Sequence, residues 1–81
     1  MIEVEVIPAI HWKYQSVGYP RFDEQERVRF TIYHHSINKN HLDRMIKIYP
    51  YTKLLDTHTL QVEVFPEKKE ECFNMLNEWY N

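Results

Sequence analysis

Histidine and cysteine are the residue types here with the most chemical potential, and the chain carries five of one and one of the other: His11, His34, His35, His41, His58 and Cys72. All are possible metal ligands, but their spacing argues against a metal centre. Structural zinc sites present ligand pairs a few residues apart, because one turn of chain can then offer both to one ion. His34 and His35 are instead adjacent, and neighbours on a strand point to opposite faces, so only one of them could join His41 or His58 through folding. No metal and no other cofactor is expected. Cys72 falls on the apolar stripe of a helix, where a thiol behaves as a small hydrophobe rather than as a nucleophile.

Catalytic spacing is equally thin elsewhere. His34-His35-Ser36 has the H-x-S form used by phosphoesterases of the two-histidine kind, but that chemistry needs a second copy across a cleft, and His58-Thr59-Leu60 does not provide it. Glu3 and Glu5 are two residues apart on one strand face and could act as a carboxylate pair. Arg27 and Arg29 have the same spacing, and opposite charges on neighbouring strands commonly dress a solvated sheet face. The four are therefore expected on one face of the sheet. No catalytic residue is assigned, and the chain is read as a non-enzyme.

Two groups are candidates for binding. In the stretch Gly18 to Asp23, the residues Tyr19, Pro20, Arg21 and Phe22 bring together types that dominate protein interfaces, at a point where sheet periodicity has lapsed. Folding of Tyr19 or Phe22 back onto the core would serve packing equally well. Tyr49-Pro50-Tyr51 poses the same choice. The second group is Lys13, Arg27, Arg29 and Tyr33, which combines cations with a ring as nucleotide and RNA sites do. Glu3, Glu5 and Glu63 dilute that signal, and no Gly-rich phosphate loop, RNP-type motif or basic helix accompanies it.

The elements that must position these residues follow from periodicity. Ile2, Val4 and Val6 alternate with Glu3 and Glu5 in a strand stopped by Pro8. From Ile10 to Val17 alternation resumes, as a second strand or as the first continued past a bend. Gly18 to Glu26 reads as a surface loop joining a hairpin. Val28, Phe30 and Ile32 point inward from a strand whose Arg27, Arg29, Thr31 and Tyr33 point outward. Asn38, Lys39 and Asn40 offer turn and N-cap chemistry, after which Leu42, Met45, Ile46 and Tyr49 form the stripe of a short helix ended by Pro50. Residues 51–55 form a short strand or an extended connection, and residues 56–59 its turn. Leu60, Val62 and Val64 mark a last strand, and Pro66 opens a terminal helix with the stripe Cys72, Phe73, Leu76, Trp79 and Tyr80. The expected class is α+β: a mostly antiparallel sheet of 4–5 strands with two helices on one face, in the order β-β-β-α-(β)-β-α.

The totals bound the rest. With 43% hydrophobic and 27% charged residues over 81 positions, the chain is a folded single domain spanning residues 1–81, not a disordered segment. A net charge of −2 fits neither a nucleic-acid-coating protein nor a DNA mimic. A lone cysteine, an acidic rather than basic start and the lack of any apolar run of ~20 residues suggest a cytoplasmic protein without membrane contact. So short a chain has little core to spend, which makes a homodimer a natural expectation. The single Gly and single Ala beside many Ile, Asn, Lys, Tyr and Phe hint at an AT-rich genome, such as that of a phage or a low-GC bacterium. Together these features suggest a small protein-binding module, an inhibitor or adaptor of phage or mobile-element type acting on a host protein. The alternative is a homo-oligomeric binder of nucleotide or RNA through the basic-aromatic sheet face.

Overall fold

A computed structural model describes residues 1–9 and 25–80. Strand β1 (Ile2–Ile7) and strand β2 (Arg27–Tyr33) are followed by helix α1 (Lys39–Ile48), then by strands β3 (Thr52–Asp56) and β4 (Thr59–Val64). A short 3₁₀ turn (Pro66–Lys68) leads into helix α2 (Lys69–Tyr80). The four strands form one antiparallel sheet in the order β1-β2-β4-β3. The α+β class and the two helices are as the periodicity implied. The candidate strand at residues 10–17, which would have been the fifth, lies outside the described residues, as does most of the loop that follows it.

Alternation divides the sheet. Val28, Phe30 and Ile32 of β2 stand opposite Val64, Val62 and Leu60 of β4, and all six are buried. Met45 and Tyr49 from α1 and its C-cap, with Cys72, Leu76 and Tyr80 from α2, close over them. Both helices therefore cover the same face. Their cover is centred on β2 and β4: Val4 and Val6 share that face through their pairing with Phe30 and Val28 but remain exposed on β1.

Local chemistry sets the ends of each element. Asn38 caps α1, its Oδ1 accepting the Asn40 N–H at 2.8 Å. The helix stops at Ile48, one residue before the sequence stripe ends, and Tyr49 takes an extended conformation with its N–H on the Met45 carbonyl. Pro50 disfavours helical geometry in the residue before it, which accounts for the early stop. Thr52 then donates its hydroxyl to the Tyr49 carbonyl at 2.6 Å, tying the start of β3 to the end of α1. Residues 51–55, left open between strand and connection by the sequence, are largely strand. Between β3 and β4, Asp56 accepts the His58 N–H on Oδ1 at 2.7 Å and the Thr59 hydroxyl on Oδ2 at 3.2 Å. A side chain thus shapes this turn; among the described residues no backbone position has positive φ. Phe65 is extended before Pro66, which opens the 3₁₀ turn that α2 continues.

One member of the expected α1 stripe is misplaced. Ile46 is 44% exposed, whereas Met45 and Tyr49 are buried and Leu42 packs at the core margin. The buried side of α1 and its C-cap is thus the single row Leu42, Met45 and Tyr49. Leu76→Ala is expected to lower unfolding free energy by about 3 kcal/mol, and Ile46→Ala by less than about 0.5 kcal/mol. Urea titrations of the two variants, with unchanged denaturant slopes, check the assignment.

Candidate binding site on the open sheet face

The face turned away from the helices is ionic, because the polar residues of every strand alternate onto it. Arg29 stands opposite Glu5 on one side and Glu63 on the other, so the row Glu5, Arg29, Glu63 crosses three adjacent strands. Arg29 Nε and Nη2 approach Glu63 Oε1 at 2.8 and 2.7 Å, and Arg27 Nε approaches Glu63 Oε2 at 3.0 Å. Each carboxylate oxygen of Glu63 is thus held by a different guanidinium. With side-chain exposures of 15% for Glu63 and 11% for Arg27, this is the least solvated ionic cluster on the face, and charge-assisted bonds there are screened less than surface ones. Arg29 Nη1 lies 3.9 Å from Glu5 Oε1, but Glu5 is well exposed and adds little.

The cluster floors one side of a shallow, open depression of about 520 Å³, whose other walls include Tyr51, Lys53 and Gln61. The Glu63 N–H donates to the Tyr51 carbonyl at 3.2 Å, which extends the β3–β4 ladder by one residue and fixes Tyr51 at the rim. At the other end of the face the Tyr33 hydroxyl donates to Glu3 Oε2 at 3.5 Å.

Glu3, Glu5, Arg27 and Arg29 therefore share one face, as their spacing implied. Of the basic-aromatic group, Arg27, Arg29 and Tyr33 are on that face, while Lys13 lies outside the described residues. So do Tyr19, Pro20, Arg21 and Phe22, the first-ranked protein-binding group. Sequence reading saw Glu63 only as a diluting charge and missed its position as the hub, together with Tyr51, Lys53 and Gln61. Alternation in β4 placed Glu63 and Gln61 on one face; what it could not supply was the register that sets Glu63 beside Arg29.

The histidines behave differently from expectation. β2 ends at Tyr33, so His34 and His35 do not alternate across a sheet: their rings stack at 4.4 Å. His34 turns back on its own loop, with Nδ1 accepting the Ser36 N–H at 3.1 Å. His41 stacks on Trp79 at 4.3 Å, and Tyr80 meets both His34 and His41 edge-on. Among the described residues no three His, Cys, Asp or Glu side chains converge as metal ligands. Cys72 is fully buried, and burial, with Glu71 adding its charge, pushes its thiol up to about 12. The thiolate is therefore scarce at neutral pH, in keeping with packing.

No helix among the described residues is long and apolar enough to cross a membrane. No family model, curated protein or solved structure matches the chain.

Glu63→Gln is expected to cost about 2 kcal/mol, because it leaves two sheltered guanidinium groups facing a neutral amide, and Glu5→Gln less than about 0.5 kcal/mol. Chemical denaturation of both variants measures the difference. Iodoacetamide is expected to leave Cys72 unmodified in the native protein at mildly alkaline pH and to label it once urea unfolds the chain, as read by intact mass.

Proposed function

We propose that this chain is a non-enzymatic protein-binding module that meets a larger protein with its open sheet face, centred on Arg27, Arg29 and Glu63 and rimmed by Tyr51. The observation that carries this reading is the clamping of Glu63 between two arginines. It fixes both guanidinium groups before any partner arrives, so little side-chain freedom remains to be lost on binding. Arginine and tyrosine are the residues most often found at the energetic centre of protein interfaces.

The same clamp weighs against the nucleotide or RNA reading. A phosphate would have to compete with a carboxylate already 2.7–3.0 Å from both arginines. The face also carries Glu3 and Glu5 against Lys53, so its charges largely cancel, whereas affinity for a polyanion grows with uncancelled cations. A protein surface, which offers both signs, suits such a face better. Four strands spaced about 4.8 Å apart and six residues long give a face of roughly 400 Å². That is about half of what one partner contributes to a standard interface.

A photo-crosslinking residue at Gln61, on this face, is expected to capture a discrete protein from cell extract, while the same probe at Asn74, exposed on α2, captures none. Tyr51→Ala should weaken that capture about tenfold or more. Equal capture from both positions would reject the assignment. A Gln61 adduct removed by nuclease, and lost steeply as salt rises, would favour the nucleic-acid reading instead.

A further inference from the structure

We infer that the free edge of β3 is the surface on which a second copy of this chain docks, joining two sheets through an antiparallel β3–β3 pairing. Among the described residues, β3 is the last strand in the sheet order and pairs with β4 on one side only. Its Leu54 and Leu55 are 43% and 46% exposed, and α1, which packs against β3, exposes Ile46 and Ile48 as well. An open edge with apolar side chains is a template for another strand.

The sequence of the strand says which strand. Residues 53–56 read Lys-Leu-Leu-Asp, opposite charges flanking two leucines. A two-fold axis through the centre of this run brings Lys53 of one copy opposite Asp56 of the other, twice, with Leu54 facing the second copy's Leu55, twice. Such a pairing works only if Lys53 and Asp56 point to the same face of the sheet, since residues directly opposite in an antiparallel pair share a face. Three residues apart on a regular strand, they would not. A β-bulge changes this. Lys53 pairs with Gln61 and Leu54 with Leu60, but the next partner, Thr59, pairs with Asp56, so Leu55 is an extra residue. Asp56 is thereby carried onto the face of Thr59, Gln61 and Lys53. The bulge makes the edge complementary to itself.

The opposite edge lacks this property. Pairing β1 with its own copy about Val4 sets Glu3 against Glu5, and pairing about Glu5 sets that residue against itself. Like charges directly opposite are unfavourable. Docking through β3 would join the four described strands of each copy into one sheet, with both open faces on the same side. Because Glu63 pairs with Tyr51, well away from the two-fold axis, the two Glu63 clusters would stand roughly 14 Å apart across the sheet and roughly 20 Å apart along it, about 25 Å in all, and the combined ionic face would double.

Sedimentation equilibrium across the micromolar range is expected to give a monomer–dimer mass. Leu55→Asp should yield a folded monomer, and Lys53→Glu should weaken the dimer about tenfold by creating two like-charged pairs. Asp56→Lys should do the same, while an equimolar mixture of Lys53→Glu and Asp56→Lys chains should dimerise again, since both cross-strand pairs are then opposite in sign. A wild type that stays monomeric, or a dimer indifferent to Leu55→Asp and Lys53→Glu, would overturn the assignment. If Asp56→Lys unfolds by circular dichroism, because Asp56 also shapes the hairpin turn, those two other variants decide alone. The readout is mass, so a negative result leaves the protein-binding reading of the open face to its own crosslinking test.

Discussion

The pairing register of β2 with β4 is the constraint from which the rest of the molecule follows. With Phe30 opposite Val62 and Arg29 opposite Glu63, one face of the pair is wholly apolar and the other ionic. A slip of one residue would turn Phe30 and Ile32 toward water and bring the arginines under the helices. Both consequences are costly, and they are costly together. The Glu63 clamp and the buried core are therefore two expressions of a single alignment, each reinforcing the register the other needs.

What the sequence disclosed follows from what periodicity can encode. Alternation in Val28, Phe30 and Ile32, and in Leu60, Val62 and Val64, marked the central strands and their inward faces, and the spacing of Cys72, Leu76 and Tyr80 marked the buried side of α2. The shared face of Glu3, Glu5, Arg27 and Arg29 was legible for the same reason. Relationships between distant segments were not. Glu63 lies 34 residues from Arg29 along the chain, and nothing in the local pattern says which outward residue of one strand meets which of another. The stacking of His34 on His35 escaped because its premise was a strand carrying both histidines, whereas β2 ends before them at Tyr33. The bulge at Leu55 escaped because one extra residue leaves no mark in so short a run.

Coverage of the sheet is uneven, and this is the cost of a short chain. Two helices of 10 and 12 residues suffice to roof β2 and β4 but not the outer strands. The apolar residues of β1 and β3 are left at the margins, where Val4, Val6 and Leu54 remain exposed although all belong to the helix-covered face. The two margins differ in character: acidic residues interleave the valines on β1, while on β3 the charges sit at the ends of the apolar pair. Edges of these two kinds would meet neighbouring chains in very different ways.

The turn between β3 and β4 carries a consequence of a different sort. Where hairpins commonly rely on glycine or asparagine in left-handed conformations, this one relies on a carboxylate that accepts the His58 N–H and the Thr59 hydroxyl. Those bonds, the backbone one foremost, hold the Asp56 carboxyl below its ordinary titration range. A group whose folded-state value is lowered stabilises the fold at pH above its unfolded value, and that contribution is lost as acid titrates it in the folded state. The hairpin is thus coupled to protons as it would be to a ligand. Since this turn ends the outermost described strand, acid strong enough to protonate Asp56 would loosen the sheet at the edge it offers to others.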